Sequence, residues 1–193
     1  MGEDGGRAVL MVNGIVQSIS PEDGRADGGY WAAMIPDDQP QRALILGLGG
    51  GTLARLLQAR WGRIFIVGVD DDVAILDLAR EVGWLPFDGS VEIVVADAFA
   101  YVQTCQDRFD YVAVDLFRGE QLVLRAFGKP FLRRVRSLLE PRGQLAVNLF
   151  TDIRLLSRIA RIGNFFEIRE KRSVGGNIVV QARRRAGQRR ITI

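Results

Sequence analysis

From residue 43 onward the chain alternates short, nearly continuous apolar runs with segments whose apolar residues recur every three or four positions. The runs at 43–47, 64–69, 91–95, 111–115 and 144–149 have the pattern of strands covered on both faces. The intervening segments at 52–60, 72–82, 98–105, 129–139 and 152–162 carry helical spacing. Strand and helix in alternation predict right-handed crossovers and a parallel sheet with helices on both sides. Two more strand-like runs, Phe165–Glu170 and Ile178–Ala182, flank Val174-Gly175-Gly176-Asn177 and predict an antiparallel hairpin at the sheet edge. The expected fold is therefore a doubly wound, Rossmann-like α/β domain with a seven-stranded, mostly parallel sheet.

Upstream, Ala8 to Ile19 reads as a β-hairpin, because two apolar runs flank Asn13-Gly14, a pair suited to a two-residue type I′ turn. A polar, glycine-rich stretch from Ser20 to Gly29 follows, then a short amphipathic segment, Tyr30 to Ile35, closed by Pro36 and an Asp37-Asp38-Gln39-Pro40 linker. The chain thus divides into an N-terminal hairpin and linker (1–40), a nucleoside-binding domain (41–182) and a basic tail (183–193).

At 193 residues, with 48% hydrophobic and 25% charged residues, the composition is that of one soluble globular domain. No apolar stretch approaches the ~20 residues that span a bilayer. The polar, acidic start, Met1 to Arg7, does not resemble a secretory signal. The single cysteine, Cys105, excludes an internal disulfide and suits a reducing cytoplasm. Histidine is absent, which removes Ser-His and Cys-His nucleophile pairs and the commonest metal ligand; no metal is expected. Lysine occurs only at 129 and 171, and five arginines crowd into residues 183–190, leaving the rest of the chain near −2 of the net +3. Such a tail can bind nucleic acid or an acidic membrane surface. It lacks interleaved aromatics and no basic face elsewhere supports it, so a solvated terminus is expected, without nucleic-acid or membrane partner.

The candidate chemistry begins at Gly47-Leu48-Gly49-Gly50-Gly51-Thr52, between the first strand and its helix. Glycines there supply positive φ and let a ligand lie against the backbone, beside the free N–H groups of a helix start. Three acids then stand at three successive strand ends, where an α/β sheet binds its ligand: Asp70, Asp97 and Asp115. Asp70 can accept both hydroxyls of a ribose, and Asp97, followed by Ala98, the exocyclic amine of adenine; each could instead be a helix N-cap, a role equally open to Asp71 or Asp72. Threonine at the sixth position departs from the dinucleotide motif, and the absence of Gly-Lys-Ser/Thr excludes a P-loop. An adenosyl sulfonium, which has no phosphate, fits best.

These segments resemble the spermidine/spermine synthase family of aminopropyltransferases, which share the S-adenosylmethionine methyltransferase fold. Val9 to Gln17 is similar to the family's Leu-Asp-Gly-x-x-Gln hairpin, Tyr30 to Met34 to its Tyr-x-x-Met segment, and Ile45 to Leu53 to its glycine-rich motif. Asp70 stands in place of the usual glutamate. Ala96-Asp97-Ala98 resembles Gly-Asp-Ala, Asp110 to Asp115 the Tyr-Asp-x-Ile-x-x-Asp strand, and Leu138 to Asn148 the Leu-x-Pro-x-Gly-x-x-x-x-Asn segment. The resemblance implies that Gly47, Gly49, Gly50, Gly51, Asp70, Asp97, Ala98 and Gln17 hold S-adenosylmethionine or its decarboxylated form. It also implies that Asp115 acts with Tyr30 on a small-molecule acceptor, in a homodimer.

Three departures qualify this. Gly49 stands where the family carries an aspartate for the donor amine, Arg118 replaces the second acid of Asp-x-x-Asp, and the N-terminal β-region is short. Arg118 should repel a polyammonium substrate and favour an acceptor bearing carboxylate or phosphate. Two functions follow: an aminopropyl- or methyltransferase whose acceptor is not putrescine, or a relict domain that binds the adenosyl ligand without turnover or serves in assembly.

Overall fold

A computed structural model describes residues 1–4, 7–12, 14–20, 29–85, 89–119 and 121–185. Strands β1 (Gly2–Asp4), β2 (Arg7–Val12) and β3 (Ile15–Ile19) form a small antiparallel sheet, so the expected hairpin is present with an added edge strand; Asn13 lies outside the described residues. Helix α1 (Gly29–Ala33) leads into the main domain.

There β4 (Arg42–Leu46), α2 (Thr52–Trp61), β5 (Phe65–Asp70), α3 (Val73–Glu81), β6 (Val91–Val95), α4 (Ala98–Thr104), β7 (Phe109–Val114), α5 (Lys129–Leu138), β10 (Leu139–Phe150), α6 (Leu155–Gly163), β11 (Phe166–Val174) and β12 (Asn177–Arg184) follow in order. Between β7 and α5 lie a two-residue hairpin, β8 (Phe117–Arg118) with β9 (Gln121–Leu122), and a 3₁₀ turn, Leu124–Phe127. The seven-stranded sheet runs β11-β12-β10-β7-β4-β5-β6, with β12 antiparallel to both neighbours and the rest parallel. This is the expected architecture.

Alternation along β4 explains the layers. Leu44 and Leu46 point into a core with α4, α5 and α6, through Phe99, Phe131 and Ile162. Ala43 and Ile45 point into the opposite core with α1, α2 and α3, through Trp31, Leu57 and Leu76. Both faces of the strand are dry, which is why it reads as an unbroken apolar run. Among the described residues no helix is long and apolar enough to cross a membrane.

The differences from expectation are local. β10 starts at Leu139, five residues early, because Leu139 pairs with Phe109 before an irregularity that resumes at Gln144. Arg183 and Arg184, assigned by sequence to the tail, complete β12, where Arg183 also meets Asp38 at 2.7 Å. The chain order reverses at β4, whose neighbours β5 and β7 lead to opposite edges; a crevice opens at such a switch point, beyond the strands' carboxyl ends.

Gly47 closes that crevice from below. Its φ is +90°, and a β-carbon there would stand 2.0 Å from the main-chain oxygen of Asp115. Gly14 has a similar φ of +81° but open space around it. Gly14→Ala should therefore cost about 1–2 kcal/mol, the left-handed penalty alone. Gly47→Ala should cost about 4 kcal/mol or more, since backbone must move. Denaturant unfolding of both variants measures the difference, and equal losses would refute the contact.

Candidate active site

The crevice is a cavity of about 770 Å³ whose wall includes Gly47, Leu48, Gly49, Asp70, Asp97 and Asp115. That volume suits a nucleoside-sized ligand with room for a second group. The three acids foreseen at successive strand ends therefore do meet at one site.

Asp70, at the end of β5, joins two backbones. Its Oδ2 accepts from Gly49 N at 2.7 Å and its Oδ1 from Asp72 N at 3.0 Å. Desolvation by burial raises its pKa, opposed by these two N–H groups. A carboxylate has about four lone-pair positions, so two ribose hydroxyls can still be received. Asp72, not Asp70, caps α3, accepting from Ile75 N at 3.2 Å. Asp97 does cap α4, accepting from Ala100 N at 2.8 Å, while it and Ala98 line the cavity.

The glycines divide by role. Gly47 and Gly49 line the cavity, whereas Gly50 and Gly51 are not part of its wall. A β-carbon on Gly50 would meet Leu10 and Ser18 at 2.6 Å, and one on Gly51 would meet Leu85 at 2.5 Å. These two let the N-terminal sheet and the residues after α3 close on the turn. Ser18 and Thr52 seal the same contact with a 2.5 Å hydroxyl pair. Gln17 lies on β3, and its side chain is outside the described residues.

Asp115 follows β7 at the far wall. Its Oδ2 accepts from the Tyr30 hydroxyl at 3.0 Å and its Oδ1 from Asn148 Nδ2 at 2.9 Å; the Trp31 side chain adds a further hydrogen bond. Burial lifts its pKa to about 6, although the donors from Asn148, Tyr30 and Trp31 all pull it down. Burial first, and then the Asp115 charge, hold the Tyr30 phenol well above its ordinary range. Tyr30 thus donates and does not ionise near neutrality.

Tyr30 reaches Asp115 because buried polar side chains pin its segment to the sheet. Tyr111 donates to Met34 O at 2.5 Å, and Gln181 Nε2 to Ala33 O at 2.9 Å and Ile35 O at 3.1 Å. Gln144 Oε1 receives Asp37 N at 3.1 Å.

Arg118 lies at the mouth, its side chain 78% exposed and 3.8 Å from Asp71. Sequence reasoning assigned no site role to Asn148, Trp31 or Arg125. Asn148 had a signal: it is the one polar residue inside the apolar run Leu145–Leu149, and it is buried with its Oδ1 unpartnered among the described residues. Arg125, on the 3₁₀ turn, stacks 4.2 Å from the Phe99 ring at the Asp97 side.

A family model for the spermine/spermidine synthase domain matches residues 31–148. The chain is 33% identical over 155 residues to a polyamine aminopropyltransferase of Chromobacterium violaceum, covering 78% of this chain and 59% of that protein. It is 32% identical over 149 residues to a probable polyamine aminopropyl transferase of Bifidobacterium longum, covering 74% and 33%. The chain therefore spans between a third and three fifths of the length of these relatives. Among solved structures, spermidine synthase of Thermotoga maritima superposes with a TM-score of 0.68 at 16% identity, covering 90% of this chain and 64% of that one. Human methyltransferase-like protein 13 in complex with SAH also gives 0.68, at 20% identity, covering 78% and 74%. At these identities the two structures are alike in fold.

The Asp115 carboxyl offers a direct test. Its folded pKa lies above the unfolded value near 4, so the unfolded chain sheds this proton first as pH rises. The group therefore destabilises the ligand-free fold increasingly from about pH 4 to 6, by up to about 3 kcal/mol above that window. Asp115→Asn should unfold at a higher denaturant midpoint at pH 8, with the gain vanishing toward pH 4. A variant less stable than the parent at pH 8 would contradict the assignment.

Proposed function

The chain belongs to the spermine/spermidine synthase family, and we propose that it is a transferase that moves an aminopropyl or methyl group from an adenosyl sulfonium to a small acceptor other than putrescine. The observation that carries this reading is the carboxyl of Asp115, held by Tyr30 and Asn148 across the cavity from the glycine turn and Asp70.

In this reading Asp70 receives the ribose hydroxyls, Asp97 and Ala98 border the adenine, and Gly49 lets the donor approach the backbone. The donor is S-adenosylmethionine or its decarboxylated form. The acceptor's lone pair attacks the carbon beside sulfur, the C–S bond breaks, and its electron pair stays on sulfur as a neutral thioether. Asp115 takes the proton that the acceptor loses. A carboxyl with a pKa of about 6 is mostly ionised at neutral pH yet basic enough to accept it. An adjacent sulfonium would lower that value further. Tyr30 and Asn148 fix the carboxylate's direction. Gln17 borders the entry, and the functional unit is a homodimer in the cytoplasm.

Arg118 bears on the acceptor and Gly49 on the donor amine beside it. Arg118 places a cation where a diamine's second ammonium would need an anion, and Gly49 leaves the turn without its acid. Arg118 is exposed and faces Asp71, so each altered pair is worth about 0.5–1 kcal/mol after screening, not the several available to a buried pair. An acceptor with a carboxylate or phosphate gains what a diamine loses. The same two departures favour the second reading, a domain that binds the adenosyl ligand without turnover.

Two experiments follow. Asp70→Ala and Asp97→Ala should each weaken methylthioadenosine binding about ten- to hundredfold by calorimetry. Asp38→Ala, which loses only the contact with Arg183, should not; equal behaviour of all three would misplace the site. In an aminopropyl-transfer assay the parent chain should turn over putrescine poorly, and Gly49→Asp/Arg118→Asp should lower its KM about tenfold. Parent turnover of putrescine at ~1–10³ s⁻¹ would overturn the acceptor assignment. Ligand-induced stabilisation with no thioether product from any acceptor would favour the domain without turnover.

A further inference from the structure

The face opposite the cavity carries a row of arginines that the transferase chemistry does not use. Arg134 donates to Gln103 O and Cys105 O at the end of α4, and to Ser137 Oγ on α5. Arg108 donates to Ser137 O and Leu139 O at the end of α5. Arg184 donates to the same Leu139 O, and Arg185 to Gly163 O at the end of α6, at 2.9 Å. Burial, then the neighbouring charges of Arg108 and Arg136, hold Arg184 below its usual range. Four guanidinium groups, of Arg108, Arg134, Arg184 and Arg185, thus reach the C-terminal ends of α4, α5 and α6, and Arg136, in the last turn of α5, adds a fifth beside Arg184.

Capping alone would account for part of this. Three helix C-termini present roughly −1.5 charge in all, and Glu140, the acid that acts on Arg184, adds one more. Five arginines exceed that by about two and a half charges. The nearby Asp107 and Asp38 are already paired, with Arg42 and Arg183. Among the described residues none of the five has a carboxylate within ion-pair distance, and the buried Nε of Arg136 has no partner. Each guanidinium has five donors, and the carbonyl contacts use only some of them.

We infer that this row is a binding surface for a phosphodiester polyanion, a single-stranded nucleic acid. Three helix ends side by side span roughly 20 Å, over which an extended strand presents several phosphates. Guanidinium suits phosphate by its planar, forked donors. A membrane surface fits less well. The most exposed apolar side chains near these helices, Ile153 at 100% and Leu156 at 79%, stand at the N-terminal end of α6, away from the row. The basic face that the tail alone could not reveal in sequence is assembled only on folding.

Fluorescence anisotropy of the full chain with a labelled 20-nucleotide single-stranded RNA, from 50 to 300 mM KCl, tests this. The expected slope of log affinity against log salt is about −2 to −4, and Arg108→Gln/Arg184→Gln/Arg185→Gln should flatten it by about 2. That variant should weaken binding at least tenfold at 50 mM KCl. Because Arg108 and Arg184 also cap α5, the exposed Arg185→Glu is measured alongside and should weaken binding about threefold or more. Unchanged methylthioadenosine binding reports that each variant is folded. A parent slope shallower than −1 overturns the inference. So does tighter binding to phosphatidylglycerol vesicles than to RNA, or affinity lost only when residues 186–193 are removed.

Discussion

The approach of the Gly47 α-carbon to the Asp115 carbonyl fixes the distance between the two strand ends on which the site is built. Gly47 N and Leu48 N both donate to Val69 O, and Asp115 N donates to Leu46 O. The turn is thereby tied to β5 on one side and β7 on the other, at the point where the chain order reverses. Asp70 completes the bracing by gripping Gly49 N and Asp72 N, so one carboxylate aligns both the turn and the start of α3. A side chain at position 47 would push apart the walls that hold Asp70 and Asp115. The ligand-facing geometry therefore rests on an atom that is missing.

The Asp115 network extends this bracing to a distant part of the chain. Tyr30 and Trp31 belong to a five-residue helix too short to hold itself in water. It is held by Tyr111, Gln144 and Gln181, three buried polar side chains of the sheet that bond to the backbone of residues 33–38. The bonds to Ala33 O and Met34 O satisfy main-chain groups of buried residues. The sheet thus positions the donors to Asp115 through backbone it has itself immobilised. The raised pKa of Asp115 is the energetic trace of that enclosure.

How much of this was legible in the sequence follows from range. β4 and β5 were readable because both faces of each strand are buried, and the helices after β5 and β6 because Asp72 and Asp97 are local caps. The glycine turn was readable as a turn, but the reason for each glycine was not. Gly50 and Gly51 answer to Leu10, Ser18 and Leu85, which lie more than thirty residues away in sequence. The β8–β9 hairpin escaped notice because two-residue strands leave no period to detect. Asn148 could have been flagged as a polar residue in a buried strand, but its partner, Asp115, depends on β10 lying beside β7.

The same parallel order that builds the cavity also sorts the charges. In a sheet fed by crossover helices, helix N-termini gather at the carboxyl ends of the parallel strands and helix C-termini at the other end. Partial positive charge at the first favours acids, and partial negative charge at the second favours cations, by about 0.3–1 kcal/mol at each terminus. Asp70, Asp72, Asp97 and Asp115 stand at one end, and Arg108, Arg134, Arg184 and Arg185 at the other. A net charge of +3 therefore conceals a polarised molecule. The dipoles explain the direction of that polarity but not its size, since one arginine per helix end would neutralise them. The surplus at the arginine end exceeds what the helix ends there neutralise.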